Sequence, residues 1–122
     1  MSASINLFKY SDDFLSYPAG HVILRRGDPG NVMYVVQDGE VNLMLDDTVV
    51  ETVGPGGVFG EMALIDKRPR NTTAVAKTDC RIVPIDEKRF LFMIEETPNF
   101  ALDVMRILVG RIRSVMRPPD TP

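Results

Sequence analysis

Cysteine occurs once in this chain of 122 residues, histidine once, and aromatic side chains make up only 7%. The lone Cys80 can close no intramolecular disulfide, which excludes a cystine-stapled scaffold and makes a reducing, cytoplasmic setting the expectation. As a small apolar side chain it reads as a core residue. The lone His21 sits in a strand-like run far from any obvious nucleophile, and a clustered-histidine metal centre is excluded. Nor is there an excess of cations. Fourteen Lys and Arg stand against seventeen Asp and Glu, a net charge of −3, whereas binding to phosphate backbones is driven by clustered Lys and Arg. No direct DNA binding is expected. No apolar run approaches the length of a bilayer span, and the opening residues MSASINLFKYSDDFL lack the basic region and apolar stretch of a leader. These absences predict a soluble chain without catalytic or metal residues and without membrane insertion.

What is present is turn chemistry. Nine glycines and nine prolines are spread along a chain that is 44% hydrophobic, enough to bury one core and suited to many short strands. From Phe14 to about Ile85 the sequence alternates β-rich runs (HVILR, VMYVVQ, EVNLML, TVVETV) with turn signals (PAG, RGDPG, DG, DD, GPGG). Runs at roughly eight-to-twelve-residue spacing predict a sandwich or barrel of antiparallel strands. Asp38-Gly39 is the strongest local signal, since a two-residue type I′ turn needs positive φ at both central positions. It predicts a hairpin of Val32–Gln37 with Glu40–Leu45. The strand pattern resumes in TTAVAK and CRIVPI.

From Asp86 the period changes to that of helices. Asp86 is an N-cap for a helix over Glu87–Glu96, and Thr97-Pro98 opens a second with proline in its first turn. There Ala101, Val104, Met105, Leu108, Ile112, Val115 and Met116 recur at three- and four-residue steps, predicting one apolar stripe. One domain over residues 1–117 is expected, with a β portion at about 14–85, terminal helices at about 86–117, and a flexible tail at 118–122.

Between the two groups of strands lies FGEMALIDKRPR, residues 59–70. Glu61–Ile65 reads as one helical turn, closed where Pro69 biases Arg68 away from helix. Such a turn points unpartnered backbone N–H groups out of its N-terminus, a setting for an anion. Gly60 permits close approach, and Gly54, Gly56 and Gly57 permit the sharp turn before it. Arg70 adds a planar fork suited to two phosphate oxygens. Glu61 would repel a phosphate, so it must face a hydrogen-bond donor, and a ribose hydroxyl is one that lies beside the phosphate of any nucleotide. Singly, Glu61 reads as a charge favoured by the helix dipole and Arg70 as a surface partner of Glu61 or Asp66. Their combination with the glycines and the Pro-Arg pair favours a ribose phosphate.

The stretch FGEMALIDKRPRNTTAVA closely resembles the phosphate-binding cassette of the cyclic nucleotide-binding domain. That family includes the bacterial catabolite activator protein, the regulatory subunits of protein kinase A and cyclic-nucleotide-gated channels. YPAGHVILRRGDPGNVMYVVQDGEVNLML is similar to the family's first strands, with Gly20, Gly27-Asp28, Tyr34 and Gly39 in place, and the resemblance covers about Phe14 to Arg117. It implies a mainly β fold with flanking helices: an eight-stranded antiparallel β-roll of jelly-roll type, a short cassette helix and two C-terminal helices. It implies that Glu61 accepts from the ribose 2′-hydroxyl and Arg70 pairs with the cyclic phosphate, with Gly60, Met62 and Ala63 at the positions of backbone contact. After the arginine the family usually has Ala, Ser or Thr and then Ala. Here Asn71-Thr72 follows, either of which can reach the phosphate or base, while Thr72 and Thr73 read equally as strand residues. In that family a Thr directly after the arginine tends to go with cyclic GMP and Ala or Ser with cyclic AMP; Asn71 fits neither habit, and cyclic AMP is expected as the commoner ligand.

Relatives close the base side with a residue of the last helix, for which Arg111 and Arg113 are candidates. Arginines late in a helix ordinarily read as solvated and favoured by the dipole; Val58, Met44 and Leu108 are candidate apolar contacts whose default is core packing, and Arg111 and Val58 are the candidate base contacts. A helix-turn-helix is expected after the long helix of a catabolite-activator-type regulator, and none follows in these residues. Output is therefore expected through a protein effector or self-association of the C-terminal helices. The contrasting expectation is a degenerate domain of the same fold, serving as a protein-interaction module with an empty pocket.

Overall fold

The computed structural model describes residue 5 and residues 7–116. In chain order the elements are β1 (Leu15–Tyr17), β2 (Val22–Leu24), β3 (Val32–Asp38), β4 (Val41–Leu45), β5 (Thr48–Val53), β6 (Val58–Phe59), α1 (Glu61–Asp66), β7 (Thr73–Ala76), β8 (Cys80–Asp86), α2 (Glu87–Glu96) and α3 (Asn99–Val115). The strands form two four-stranded sheets, ordered β1-β8-β3-β6 and β2-β7-β4-β5. Every pairing is antiparallel. This is the expected eight-stranded roll of jelly-roll type with three helices. The tail at 118–122 lies outside the described residues.

The predicted hairpin at Asp38-Gly39 does not form. β3 pairs with β6 along one edge and β8 along the other, leaving no edge for β4. Of the two turn residues only Gly39 has positive φ, +83°, so the type I′ geometry is not met and the chain crosses to the second sheet. A side chain at Gly39 would lie 2.3 Å from the Asp79 carbonyl. The hairpin that does form is β4–β5, with Leu45 opposite Thr48 and positive φ at Asp46.

Alternation along β3 and β8 explains where the core sits. Met33, Val35, Val83 and Ile85 point to one face of the first sheet, and Val36, Cys80 and Ile82 to the other. The second face packs on Val41, Leu43, Val53, Ala74 and Ala76 of the partner sheet. The first is covered by Ile5 and Phe8 of the N-terminal segment and by Phe100, Val104 and Ile107 of α3. Phe100 meets Phe8 and Phe90 edge-on. The Ile5 N–H donates to the Gly56 carbonyl at 2.6 Å, so Ile5 and Phe8 belong to the core, well before the first expected strand.

Asp86 caps α2 as expected, accepting from the Arg89 N–H at 2.8 Å. The α3 stripe is corrected. Of its seven predicted members only Val104 is buried, while Met105 and Ile112 are each 54% exposed and Val115 and Met116 more so. Phe100 is the bulkiest side chain near the start of α3, and its docking against Phe8 and Phe90 turns that side of the helix inward. No helix among the described residues is long and apolar enough to cross a membrane.

Candidate functional site

Strand β6 is pinned to β3 by the pairs Tyr34–Phe59 and Val35–Val58. The chain then leaves the sheet through Gly60, whose φ of +78° suits a residue without a side chain. That bend starts α1, which ends when Lys67 turns left-handed and donates its N–H to the Ala63 carbonyl. The helix therefore stops before Pro69, one residue beyond the expected Ile65. Its first turn presents Glu61, Met62 and Ala63, of which Glu61 and Ala63 are buried and Met62 is exposed.

Arg70 is anchored by its main chain and by its guanidinium. Its N–H donates to the Asp28 carbonyl and its carbonyl accepts from the Gly27 N–H, both at 2.8 Å, which ties it to the β2–β3 loop. Nη1 donates to the Gly60 carbonyl at 2.9 Å. The guanidinium lies over the Tyr34 ring, 5.9 Å from its centroid, and that ring stacks on Phe59. Arg70 is only 8% exposed, yet it belongs to none of the ion pairs found among the described residues. It is a buried cation without a carboxylate, although the sequence offers Glu61 and Asp66 nearby. Asp66 instead accepts from the Arg68 N–H.

Glu61, 3% exposed, has a different partner. Arg111 reaches back from α3 and donates Nη1 to Glu61 at 2.5 Å. The same guanidinium makes a two-pronged pair with Glu51 of β5, at 2.9 and 3.0 Å, and bonds the Val58 carbonyl. Burial by itself would lower the Arg111 pKa. The bonds to Glu51 and the negative charges of Glu61 and Glu51 outweigh it and hold the pKa raised.

The fold thus brings Gly60, Glu61, Met62, Ala63, Arg70 and Asn71 around α1, with Thr72 half-buried beside them. The Asn71 amide donates to the Met62 sulfur at 3.3 Å. Arg111 joins this group. Val58 contributes its carbonyl, its side chain being fully buried in the core. Leu108 packs partly against the core, and Arg113 is exposed. Sequence reasoning missed Glu51 and Gly30. Glu51 is a lone charge inside the β-branched run TVVETV, and that isolation was its signal. Gly30 reads only as one more turn residue in RGDPG. No group of His, Cys, Asp and Glu among the described residues could hold a metal ion.

Comparison with known proteins bears on this arrangement. The family model for the cyclic nucleotide-binding domain matches residues 14–97. The chain is 48% identical over 71 residues to a cAMP-dependent protein kinase regulatory subunit of Eremothecium gossypii, covering 58% of this chain and 16% of that one. The crystal structure of the Thermus thermophilus catabolite activator protein superposes with a TM-score of 0.73 at 32% identity, over 84% of this chain and 51% of that one. A structure from work on a cyclic-GMP-dependent signalling pathway of bacterial phytopathogenesis superposes with a TM-score of 0.70 at 25% identity, over 91% of each chain. The chain spans less than half the length of the curated relatives it matches. The family match over residues 14–97, on a roll of this topology, makes this chain a member of the cyclic nucleotide-binding domain family.

Proposed function

We propose that this protein binds a cyclic nucleotide, cyclic AMP in preference to cyclic GMP, and serves as a non-catalytic regulatory module over residues 1–117. The observation that carries the reading is Arg70, a buried guanidinium with no carboxylate partner among the described residues. A buried cation left uncompensated is costly, and a cyclic phosphate supplies the missing anion through charge-assisted bonds. The N–H groups of Glu61, Met62 and Ala63 have no intrahelical acceptors and add donors to the same anion. Glu61, with Arg111 on one oxygen, keeps acceptor capacity for the ribose 2′-hydroxyl. Asn71 and Thr72 line the phosphate side and Arg111 the base side; Val58, expected there, is instead buried in the core with its carbonyl bonded by Arg111.

Preference for cyclic AMP draws support from the cAMP-dependent protein kinase regulatory subunit, 48% identical over 71 residues, against 25% for the neighbour whose description names cyclic GMP. Signalling follows from Arg111. It joins the ribose-binding carboxylate to α3, so ligand entry at Glu61 biases the position of that helix. Output passes from α3 to a protein effector or a second copy of the chain, in the cytoplasm, without direct DNA binding or membrane insertion.

A second reading, an interaction module with an empty pocket, is favoured by one observation: Glu61 already has a protein partner in Arg111. Thermal melting separates the two. At a hundredfold excess over its dissociation constant the ligand should add about 2.7 kcal/mol of stability. A raised Tm with cyclic AMP and none with linear 5′-AMP supports the sensor. An unchanged Tm with every cyclic nucleotide supports the interaction module.

A further inference from the structure

Most glycines of this chain are explained by conformation or have open space around them. Gly20, Gly27, Gly39, Gly56 and Gly60 have positive φ, and nothing lies within 4 Å of a side chain built at Gly54 or Gly110. Gly30 and Gly57 fit neither class; a side chain at Gly57 would meet Val53 Cγ1 at 2.5 Å, whereas Gly30 faces a charged group. Its φ is not in the left-handed range, so an alanine could adopt its backbone. A methyl group there would nonetheless lie 2.2 Å from Nε, 2.3 Å from Cζ and 2.7 Å from Nη2 of Arg70. A methyl at Gly60 would lie 2.7 Å from Nη1 of the same guanidinium. The guanidinium of Arg70 is therefore approached closely by the backbone of both Gly30 and Gly60, with the Tyr34 ring 5.9 Å away.

We infer that Gly30 is a positioning residue for Arg70: the missing side chain leaves the seat in which the guanidinium waits for its anion. The link to nucleotide affinity rests on the function proposed above, whereas the seat itself is a property of the free protein. The three atoms that a methyl would strike all belong to the far end of one flexible side chain, so Gly30→Ala displaces Arg70 rather than the fold. The β2–β3 loop thus holds Arg70 twice, by the backbone pairs of Gly27 and Asp28 and by the space at Gly30.

Two readouts test this. In the free protein, the Arg70 Nε–H resonance, identified by its loss in Arg70→Ala, should move in Gly30→Ala toward the position of a solvated arginine. An unmoved resonance in a folded Gly30→Ala protein would overturn the inference, whether or not any nucleotide binds. Failure of the wild type to bind any cyclic nucleotide would instead overturn the proposed function and leave the resonance to decide the seat. For affinity, Gly30→Ala should weaken cyclic AMP binding about thirtyfold or more. In the Arg70→Ala background it should cost nothing further, because the group it acts through is gone. Full multiplicative loss in the double variant would show that Gly30 acts elsewhere and would sink the proposal.

Discussion

A guanidinium shielded from water without a carboxylate beside it is an expensive arrangement until an anion arrives. Arg70→Ala should weaken cyclic nucleotide binding by about 2–5 kcal/mol, since it strips a fork from a desolvated phosphate. The folded protein should survive the change, which circular dichroism would check. The 2′-deoxy analogue should bind poorly because Glu61 would face the sugar without a donor. Equal affinity for the two sugars would remove Glu61 from the site. Cys80 makes a different prediction. Burial, then the charges of Asp79 and Asp38, push its thiol pKa up, so the native state keeps a proton that the unfolded chain releases. That contribution is complete below the unfolded thiol pKa, and stability falls as pH rises through it. Native Cys80 should resist iodoacetamide at pH 8 and react only on unfolding, as mass spectrometry would record. Glu61 and Arg70 were legible in the sequence because both stand in a short motif with fixed spacing. Glu51 showed only as an isolated charge in TVVETV, its partner lying on a distant helix, and Gly30 was not legible because it acts by the space it leaves.

Among elements, the link from β5 through Arg111 to α1 concentrates the most charge. Arg111→Ala leaves the Glu61 carboxylate buried without its cation and should cost about 3–5 kcal/mol. Half-buried Glu51 adds little. Urea denaturation would measure the loss, and an unchanged midpoint would mean that the pair has no part in the fold. Gly39→Ala should cost about 1–3 kcal/mol from backbone strain alone. Its obstacle is the Asp79 backbone carbonyl, which cannot swing aside as Arg70 can. The strands themselves were legible from alternation and turn residues. Their partners were not: only β4–β5 joins consecutive strands, and the other pairings bring together segments far apart in the chain. Asp38-Gly39 looked like a local hairpin because nothing nearby in sequence reveals that β6 and β8 already occupy both edges of β3. The helical period of α3 was legible too, but its apolar residues run all round, and only the docked Phe100 decides which face turns inward.

At the scale of the whole molecule, that leaves Leu102, Met105, Val109, Ile112 and Met116 exposed along one side of α3. Their alternating steps of three and four are those of a coiled-coil seam. Self-association through this seam would make the sedimentation coefficient rise with concentration, and a Met105→Glu, Ile112→Glu double variant should remain monomeric. A wild type that stays monomeric throughout would direct the search to a protein effector instead. The most direct test of the central claim is isothermal titration with cyclic AMP, cyclic GMP and linear 5′-AMP, repeated on Arg70→Ala. Saturable heat with a cyclic nucleotide, tightest for cyclic AMP, weakened in Arg70→Ala by about 2–5 kcal/mol and absent for 5′-AMP, is the predicted result. No heat with either cyclic nucleotide, from protein that melts cooperatively, would contradict it and would mean that the cassette persists for its shape alone.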